Sequence, residues 1–323
     1  MELQEIKQTL IDRLQVYKDH PIETPVAIID ISTAQTEEEL LMAILSPITE
    51  LFRLDIIDYR FIKENFSEEL LSQYYIIIDG EEKVYGDKVV YAFGSSKVHA
   101  YNTVTVNAYN NTEVFLHQNS KGYINEYCIG NAYDNSTLVC YDNSVGRASQ
   151  TSNMILEDEA YGESSDNTTI RTYGDSLLYA RGNSDVYGAG SSTVHLYDTS
   201  NGNFNEHARG FAHDRSTVSY KAESTGCMDG ESDGEAKDYS SINMLENSKC
   251  NASGYARVTV AGNCSIKGYE YSHIIIHNAA YAQVSDFAYM EDLSDTHTNV
   301  NNRAIIQWVN GKQLFLGKEL AQS

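Results

Sequence analysis

The sequence predicts a parallel β-solenoid, and three observations support the prediction. From Val90 to Tyr289 the chain divides into 25 blocks of eight residues without an insertion. The first, third and seventh positions of these octads hold no charged residue, although 35 charged residues lie in the segment. The fifth position is rich in Gly, Asn and Asp. A fixed period without slippage is typical of a solenoid.

Each octad is predicted to form a short strand followed by a corner. Positions 1 and 3, for example Val98 and Ala100, alternate as in a strand with one buried face. Position 5, as at Asn102, suits a bend with positive φ. Position 7 is Ser or Ala in 20 of 25 octads, which fits a side chain that points inward at a tight place. One octad cannot bury its own apolar face, but octads stacked ~4.8 Å apart can.

The sequence leaves the size of one coil open. Two octads per coil would give a flattened cross-section with two sheets, and three would give a triangular one. The small interior residues favour two octads, or 16 residues, with 24 residues as the alternative. Where position 1 is Gly, position 3 is sometimes large, as in Gly202 with Phe204 and Gly226 with Met228. Such compensation of volume is expected in a packed core.

The flanks of the repeat are predicted to cap its ends. Residues 1–85 read as a small α/β domain, residues 86–291 hold the solenoid, and residues 292–323 form a C-terminal cap. The elements predicted for the first segment are a helix from Leu3 to Tyr17, a strand at Pro25–Ile31, a helix behind a capping box of Thr36 and Glu39, a helix at Ser67–Leu71 and a strand at Tyr74–Ile78. The last segment is predicted to be a β-hairpin with strands Ile305–Val309 and Gln313–Leu316 around the turn Asn310-Gly311. Each flank would cover an unpaired sheet edge.

The chain is strongly acidic, with a formal net charge of −23. Residues 1–85 contain 18 acidic and 7 basic residues, and residues 86–291 contain 25 and 13. Because contacts with phosphates require a basic surface, direct binding to nucleic acid is not expected. The sequence shows no leader and no apolar run long enough for a bilayer, so no membrane contact is predicted.

The five cysteines indicate a reducing compartment. In the octad frame Cys128, Cys140, Cys250 and Cys264 lie at inward positions, and Cys227 lies at an outward one. An odd number of cysteines, mostly in core positions, suits small apolar side chains better than disulfides. A cytoplasmic or virion-associated location is therefore expected.

Candidate binding residues recur at position 4, which is predicted to face outward. Tyrosine makes contacts at a low cost in conformational entropy and is common in recognition surfaces. The candidates at this position are Tyr101, Tyr109, Tyr133, Tyr141, Tyr173 and Tyr197. The alternative interpretation is a ladder of rings that stabilises neighbouring coils through cross-strand contacts.

The run Glu157, Asp158 and Glu159 supplies the candidate acidic residues, with Asp175 nearby. Paired carboxylates are the groups that cleave glycosidic bonds, and a solvated corner is the alternative. The sequence singles out no one pair of them. It also has no phosphate-binding loop, no serine nucleophile elbow and no Cys-x-x-Cys motif, so we assign no catalytic residue and expect no enzyme.

No metal site or cofactor is predicted. Histidines recur at positions 2 and 4, but those that share a position are many coils apart. The segment from Asp229 to Glu235 is like the front half of a calcium loop, but it lacks the distal Glu that completes one.

Two octads, Gly130-Asn-Ala-Tyr-Asp-Asn-Ser-Thr and Val194-His-Leu-Tyr-Asp-Thr-Ser-Asn, are close to the pattern V-x-A-Y-G-N-S-T. This repeat resembles an octapeptide repeat in proteins of gut bacteria and their phages. The resemblance covers about 200 residues and implies a β-solenoid with a phage or mobile-element origin. It carries over no catalytic residue. Blocks such as 154–169 depart from the pattern, and a binding face is expected at such departures.

These features favour a non-enzymatic scaffold for protein interactions, an acidic rod with capped ends. A sharper form is an inhibitor from a phage or mobile element that imitates nucleic acid and blocks a nucleic-acid-binding protein. This form requires the acidic residues to be concentrated on one side of the rod. The alternative is a virion or surface component that binds or cleaves glycans. An ice-binding array would need a regular grid of threonines, and those at position 8 are too scattered.

Overall fold

The computed structural model describes residues 2–17, 24–277, 280–293, 298–300, 305–308 and 314–316. Within these residues a parallel β-solenoid follows a helical N-terminal domain. Each strand pairs with the strand two octads away, as Val98 does with Val114, so one coil contains two strands and 16 residues. The predicted fold class and the narrow coil are therefore confirmed.

The N-terminal domain is helical rather than α/β. Its helices are α1 (Leu3–Gln15), α2 (Thr24–Thr33), α3 (Glu37–Leu45), α4 (Ile48–Arg53), α5 (Tyr59–Asn65) and α6 (Glu68–Gln73). The predicted capping residue is confirmed, since Thr36 Oγ1 accepts a hydrogen bond from the Glu39 backbone N–H at 3.1 Å. The predicted strand at Pro25–Ile31 is wrong because these residues lie in α2. A short apolar run does not separate strand from helix by periodicity, and a proline is tolerated in the first helical turn.

Two sheets of 15 and 16 strands form the solenoid in the described part of the chain. Sheet A contains β1 (Ile76–Ile78), β3 (Val89–Phe93), β5 (Thr105–Ala108), β7 (Lys121–Ile124), β9 (Thr137–Cys140), β11 (Asn153–Leu156), β13 (Thr169–Thr172), β15 (Asp185–Gly188), β17 (Asn201–Phe204), β19 (Thr217–Tyr220), β21 (Asp233–Ala236), β23 (Lys249–Ala252), β25 (Ser265–Gly268), β27 (Tyr281–Val284) and β29 (Thr298–Val300). Sheet B contains β2 (Glu81–Val84), β4 (Lys97–Ala100), β6 (Glu113–Leu116), β8 (Ile129–Ala132), β10 (Val145–Ala148), β12 (Tyr161–Ser164), β14 (Leu177–Ala180), β16 (Thr193–Leu196), β18 (Arg209–Ala212), β20 (Thr225–Met228), β22 (Ser241–Met244), β24 (Arg257–Val260), β26 (His273–Ile276), β28 (Tyr289–Asp292), β30 (Ile305–Trp308) and β31 (Leu314–Leu316).

The solenoid extends beyond the predicted octads at both ends. The strand predicted at Tyr74–Ile78 is β1, and it belongs to sheet A because Ile76 pairs with Tyr91 of β3. At the other end β30 pairs in parallel with β28, so the 16-residue spacing continues past the last predicted octad. The predicted C-terminal hairpin is confirmed by the antiparallel pairing of β30 with β31. Its predicted turn, Asn310-Gly311, lies outside the described residues.

Positions 1, 3 and 7 fill the interior, as predicted. Val98 and Ala100 at positions 1 and 3 are fully buried, and so is Ser136 at position 7. The Ser136 hydroxyl donates to the carbonyl of Tyr133 at 2.6 Å, which satisfies a buried O–H and closes the corner. All five cysteines lie in the described part of the chain and are free thiols; four are buried and Cys227 is half-buried.

The glycines at position 1 make room for large side chains in two ways. A Cβ at Gly202 would lie 2.9 Å from the ring of Phe204, as the octad compensation predicts. For Gly226 the nearest atoms do not belong to Met228 of its own octad, which instead lies 2.8 Å from a Cβ placed at Gly234. At Gly226 a Cβ would lie 1.9 Å from the Gly210 carbonyl oxygen and 2.5 Å from the ring of Tyr220, which comes from the opposite sheet. Compensation therefore acts across the two sheets as well as within one octad.

Gly226→Ala is expected to lower the free energy of unfolding by about 2 kcal/mol, because neither the backbone of Gly210 nor the buried ring of Tyr220 can move aside freely. Urea denaturation followed by circular dichroism measures the change. Gly80→Ala is the matched control, since its new Cβ would make only an ordinary contact of 3.8 Å with Ile77. Equal stability of the two variants would contradict the packing argument.

Candidate functional site

Two corners run along the length of the rod and carry the candidate residues. Corner A comprises positions 4–6 after each strand of sheet A, from residues 93–95 to 285–287. Corner B comprises the same positions after each strand of sheet B, from residues 101–103 to 261–263. The two flat faces consist of the outward positions 8 and 2 of the strands. Because the coil repeats every 16 residues, side chains at equivalent positions form columns ~4.8 Å apart.

Position 5 forms a column of acceptors for backbone hydrogen bonds. The residues there have positive φ, for example 60° at Gln118 and 54° at Asp134. The Gln118 backbone N–H donates to Asp134 Oδ2 of the next coil at 2.9 Å, and the Asp134 N–H donates to Gln150 Oε1 at 2.6 Å. The same contact joins Gly182 to Asp198. A carboxylate or amide at this position therefore satisfies a corner N–H that would otherwise have only water as its acceptor.

The acidity of the solenoid is concentrated on its corners. Between residues 90 and 289, corner A carries eleven carboxylates against two lysines, and corner B carries seven against two arginines. The two faces carry five carboxylates and eight basic residues. The carboxylates of corner A are Glu126, Asp142, Glu157, Asp158, Glu159, Asp175, Glu206, Glu223, Asp238, Glu270 and Asp286. Corner A is thus the most acidic strip of the rod.

Three of the predicted tyrosines lie on corner B within stacks of rings. Tyr101 is sandwiched between Tyr85 and His117, with ring centroids 4.8 Å and 4.7 Å away. His117 stacks in turn on Tyr133 at 5.2 Å. Tyr197 stacks on His213 at 4.7 Å. These rings are thus arranged as a ladder between neighbouring coils, the geometry that the alternative interpretation predicts.

The histidines form pairs that the sequence reasoning missed. His99 and His117 have ring centroids 6.5 Å apart, and His195 and His213 have centroids 5.9 Å apart. Histidines that share a position do lie many coils apart. The pairs arise because the 16-residue coil brings position 2 beside position 4 of the next coil. In the described residues no group of three His, Cys, Asp or Glu side chains is placed to hold a metal ion.

Four other candidates lie in a cleft of about 700 Å³ between the helical domain and corner A. Tyr109 lies at its base, only 3 % exposed, where it hydrogen-bonds Thr49 at 2.9 Å and stacks on Phe93. The outward orientation predicted for Tyr109 is therefore overridden, since helix α4 covers the ring. The other three candidates in the cleft are Tyr141, Glu157 and Asp158.

The cleft also holds residues that the sequence reasoning missed. Tyr123, Tyr127 and Asn125 line it, and Arg53 of α4 contributes the basic side chain. Burial raises the pKa of the Glu126 carboxyl, while hydrogen bonds from the Asn110 backbone and side chain oppose the shift. These side chains lie about 16 residues apart in the sequence, so a coil of 16 residues predicts that they are neighbours on corner A. Two further candidates, Tyr173 and Glu159, do not line the cleft. The ring centroid of Tyr173 lies 6.2 Å from that of Tyr187, and Glu159 is exposed to solvent.

A stripe of exposed rings occupies position 6 at the far end of corner A. Its members are Tyr239, Tyr255, Tyr271 and Phe287, and adjacent ring centroids lie 5.2–5.4 Å apart. About half or more of each side chain is exposed to solvent. The sequence reasoning followed tyrosines at position 4 and missed this stripe, although recurrence at every sixteenth residue marks it.

No protein-family model, curated protein or solved structure matches the chain. The helices of the described residues include none long and apolar enough to cross a membrane.

Position 5 requires a hydrogen-bond acceptor and a residue that tolerates positive φ, and three substitutions of Asp134 separate these two requirements. Asp134→Asn is expected to leave stability nearly unchanged, because Asn keeps an acceptor and tolerates positive φ. Asp134→Gly removes only the acceptor, and Asp134→Ala also places a Cβ in the left-handed region. We expect the Ala variant to lose about 1–2 kcal/mol and the Gly variant to lose less, as measured by urea denaturation. If the Asn and Ala variants lost the same free energy of unfolding, this account would be contradicted.

Proposed function

We propose that the protein is a non-enzymatic interaction scaffold that engages a basic protein partner through corner A. The observation that carries the proposal is the charge of this corner, with eleven carboxylates against two lysines. Eleven carboxylates over the 13 coils of corner A give slightly less than one carboxylate per coil of ~4.8 Å, compared with one phosphate per ~3.4 Å along a DNA strand. A partner that binds nucleic acid through its own basic groove fits such a strip.

The roles of individual carboxylates support binding rather than catalysis. Glu126 and Asp142 each accept a hydrogen bond from a backbone N–H of the preceding coil, so one function of these groups is structural. Glu157, Glu159 and Asp175 lie at positions 4 and 6, beside this column. They add charge to the corner without serving its backbone, and therefore suit contacts with a partner.

The exposed ring stripe extends the proposed interface beyond the acids. Tyr239 is 66 % exposed and Tyr255 is 55 % exposed. Aromatic rings are common anchors at protein interfaces, whereas charges at the rim mainly set specificity and the rate of association. Corner A would thus steer a basic partner along its acidic half and hold it at its aromatic half. We propose a cytoplasmic or virion-associated protein of phage or mobile-element origin as the setting.

Affinity capture with a charge-neutralised variant tests the proposal. The triple variant Glu157→Gln, Glu159→Gln and Asp175→Asn removes charge from corner A and spares the position-5 column. We expect the wild-type chain to retain a basic nucleic-acid-binding protein from bacterial lysate at low salt and to release it at high salt. Added duplex DNA should compete for the same protein and displace it from the chain. We expect the triple variant to retain about tenfold less of that protein. Mass spectrometry identifies and quantifies what is retained.

A second triple variant, Asp185→Asn, Glu231→Gln and Asp233→Asn, is the matched control because it removes the same charge away from corner A. It should retain the partner as the wild type does. Equal losses in both variants would mean that only net charge matters, and a partner that resists high salt would overturn the imitation of nucleic acid.

The cleft beside the helical domain favours a second function, the binding of a glycan. Tyr123, Tyr127 and Tyr141 supply flat rings, and Asn125 supplies an amide in the same concave surface. Sugar rings stack on such aromatic faces, while amides and carboxylates hydrogen-bond hydroxyl groups.

Under this alternative, a glycan array should show saturable binding that Tyr127→Ala and Tyr141→Ala each weaken about tenfold. Tyr109→Ala is unsuitable as a test because that ring is buried against the helical domain. Tyr239→Ala removes an equally exposed ring far from the cleft and should have no effect. Absence of saturable binding on the array would exclude this function, and hydrolysis of a bound glycan would overturn the non-enzymatic assignment.

A further inference from the structure

The column of rings on corner B is interrupted by two serines. Tyr133 ends one stack of rings, and position 4 of the next two coils is occupied by Ser149 and Ser165. Three coils beyond Tyr133 lies Arg181, whose guanidinium sits 4.8 Å from the ring centroid of Tyr197. At ~4.8 Å per coil, roughly 14 Å separates Tyr133 from Arg181. We call this interruption the slot.

The slot is a concave site with rings and arginines around it. Its volume is about 610 Å³, and Tyr161 and Tyr179 line one side of it. One flat ring face, that of Tyr133, and one flat guanidinium, that of Arg181, close its two ends. A planar group of the thickness of an aromatic ring could replace each ring that the two serines leave out.

The slot contains a buried polar side chain, that of Asn131. Asn131 is 7 % exposed, and its side-chain nitrogen has no hydrogen-bond partner among the described residues. Asn131 lines the slot. Leaving a buried donor unsatisfied costs free energy, so an acceptor atom of a ligand would be favoured at this point.

The side chains that line the slot carry a net positive charge, whereas corner B as a whole is acidic. Arg147 and Arg181 line it together with one carboxylate, Glu163. Both oxygens of Glu163 are engaged, one by Arg147 Nε at 3.4 Å and the other by the Tyr161 hydroxyl at 2.7 Å. Arg181 stacks on Tyr197 and forms no salt bridge with a described carboxylate. A local positive charge therefore lies beside flat stacking surfaces.

We propose that the slot binds a mononucleotide or dinucleotide. The base or bases stack between Tyr133 and the Arg181 guanidinium, a base carbonyl or ring nitrogen accepts from the Asn131 amide, and a phosphate pairs with the arginines. Stacking on aromatic and guanidinium planes is the usual means of holding unpaired bases. A longer strand is disfavoured because its further phosphates would meet the carboxylates of the coils beyond the slot, such as Asp134 and Asp198.

Isothermal titration of the purified full chain with AMP, the dinucleotide ApA and an oligo-dA strand tests this proposal. We expect saturable binding of AMP, about tenfold tighter binding of ApA, and no further gain for the longer strand. Adenosine, which lacks the phosphate, should bind about tenfold more weakly than AMP. An affinity that continues to rise with each added nucleotide would assign the slot to single-stranded nucleic acid instead, and would overturn the choice of a small ligand.

Variants that complete the ring column provide the sharpest control. The double variant Ser149→Tyr and Ser165→Tyr fills the slot with side chains that continue the existing stack, so it should fold and lose nucleotide binding at least about tenfold. The double variant Ser253→Tyr and Ser285→Tyr makes the same changes at position 4 of corner A and should bind as the wild type does. Asn131→Asp, which replaces the donor nitrogen by an acceptor, should weaken binding about tenfold. Unchanged binding after filling the slot, or no saturable binding of AMP and ApA by the wild type, would overturn the proposal.

Discussion

The backbone hydrogen bonds that join each coil to the next are the interaction on which the rest of the rod depends. At the corners the chain enters the left-handed region, as at Asp134 with φ of 54°, and the strand ladder ends there. The N–H of such a corner finds its acceptor in the position-5 side chain of the following coil. The acidic residues of this column are therefore part of the scaffold. Much of what looks like surface charge in the composition has a structural cause.

Because some octad positions have fixed structural roles, the type of residue can vary freely only at the others. Positions 1, 3 and 7 are committed to the interior, and position 5 to the corner. Positions 2, 4, 6 and 8 remain, and the constant coil spacing turns any recurring residue there into a column. On corner B, Thr151 donates to the Asn135 side chain at 2.7 Å, and Asn183 donates to Asn167 at 3.2 Å. On corner A the same rule produces a stripe of rings, whereas seven of the eleven carboxylates of that corner belong to position 5. A short repeat therefore yields long, chemically uniform surfaces.

The eight-residue period was enough to predict the fold, but predicting the site also required knowing which octads pair with each other. Octads read along the chain give strands, corners and interior residues, because each depends on local pattern alone. The pairing of His99 with His117 and the grouping of Tyr141 with Tyr127 depend on which octads lie side by side, and this follows only from the two-octad coil. The last coils depart from the octad pattern, since Asp292 places a charge at position 3 and Thr298 a polar residue at position 1, although β29 still pairs with β27. The helix at Pro25–Ile31 was missed because a short apolar run does not distinguish the two structures.

A column of stacked rings limits how its members can bind. Tyr101 has one face against Tyr85 and the other against His117, so it offers a ligand only its edge. Tyr133 differs, since its neighbour in the next coil is Ser149 and one of its faces is open to the slot. Stacking recognition is therefore confined to the places where a column ends or is broken. In a regular repeat, the departures from the pattern are the positions at which a surface that is otherwise satisfied by its own neighbours becomes available to another molecule.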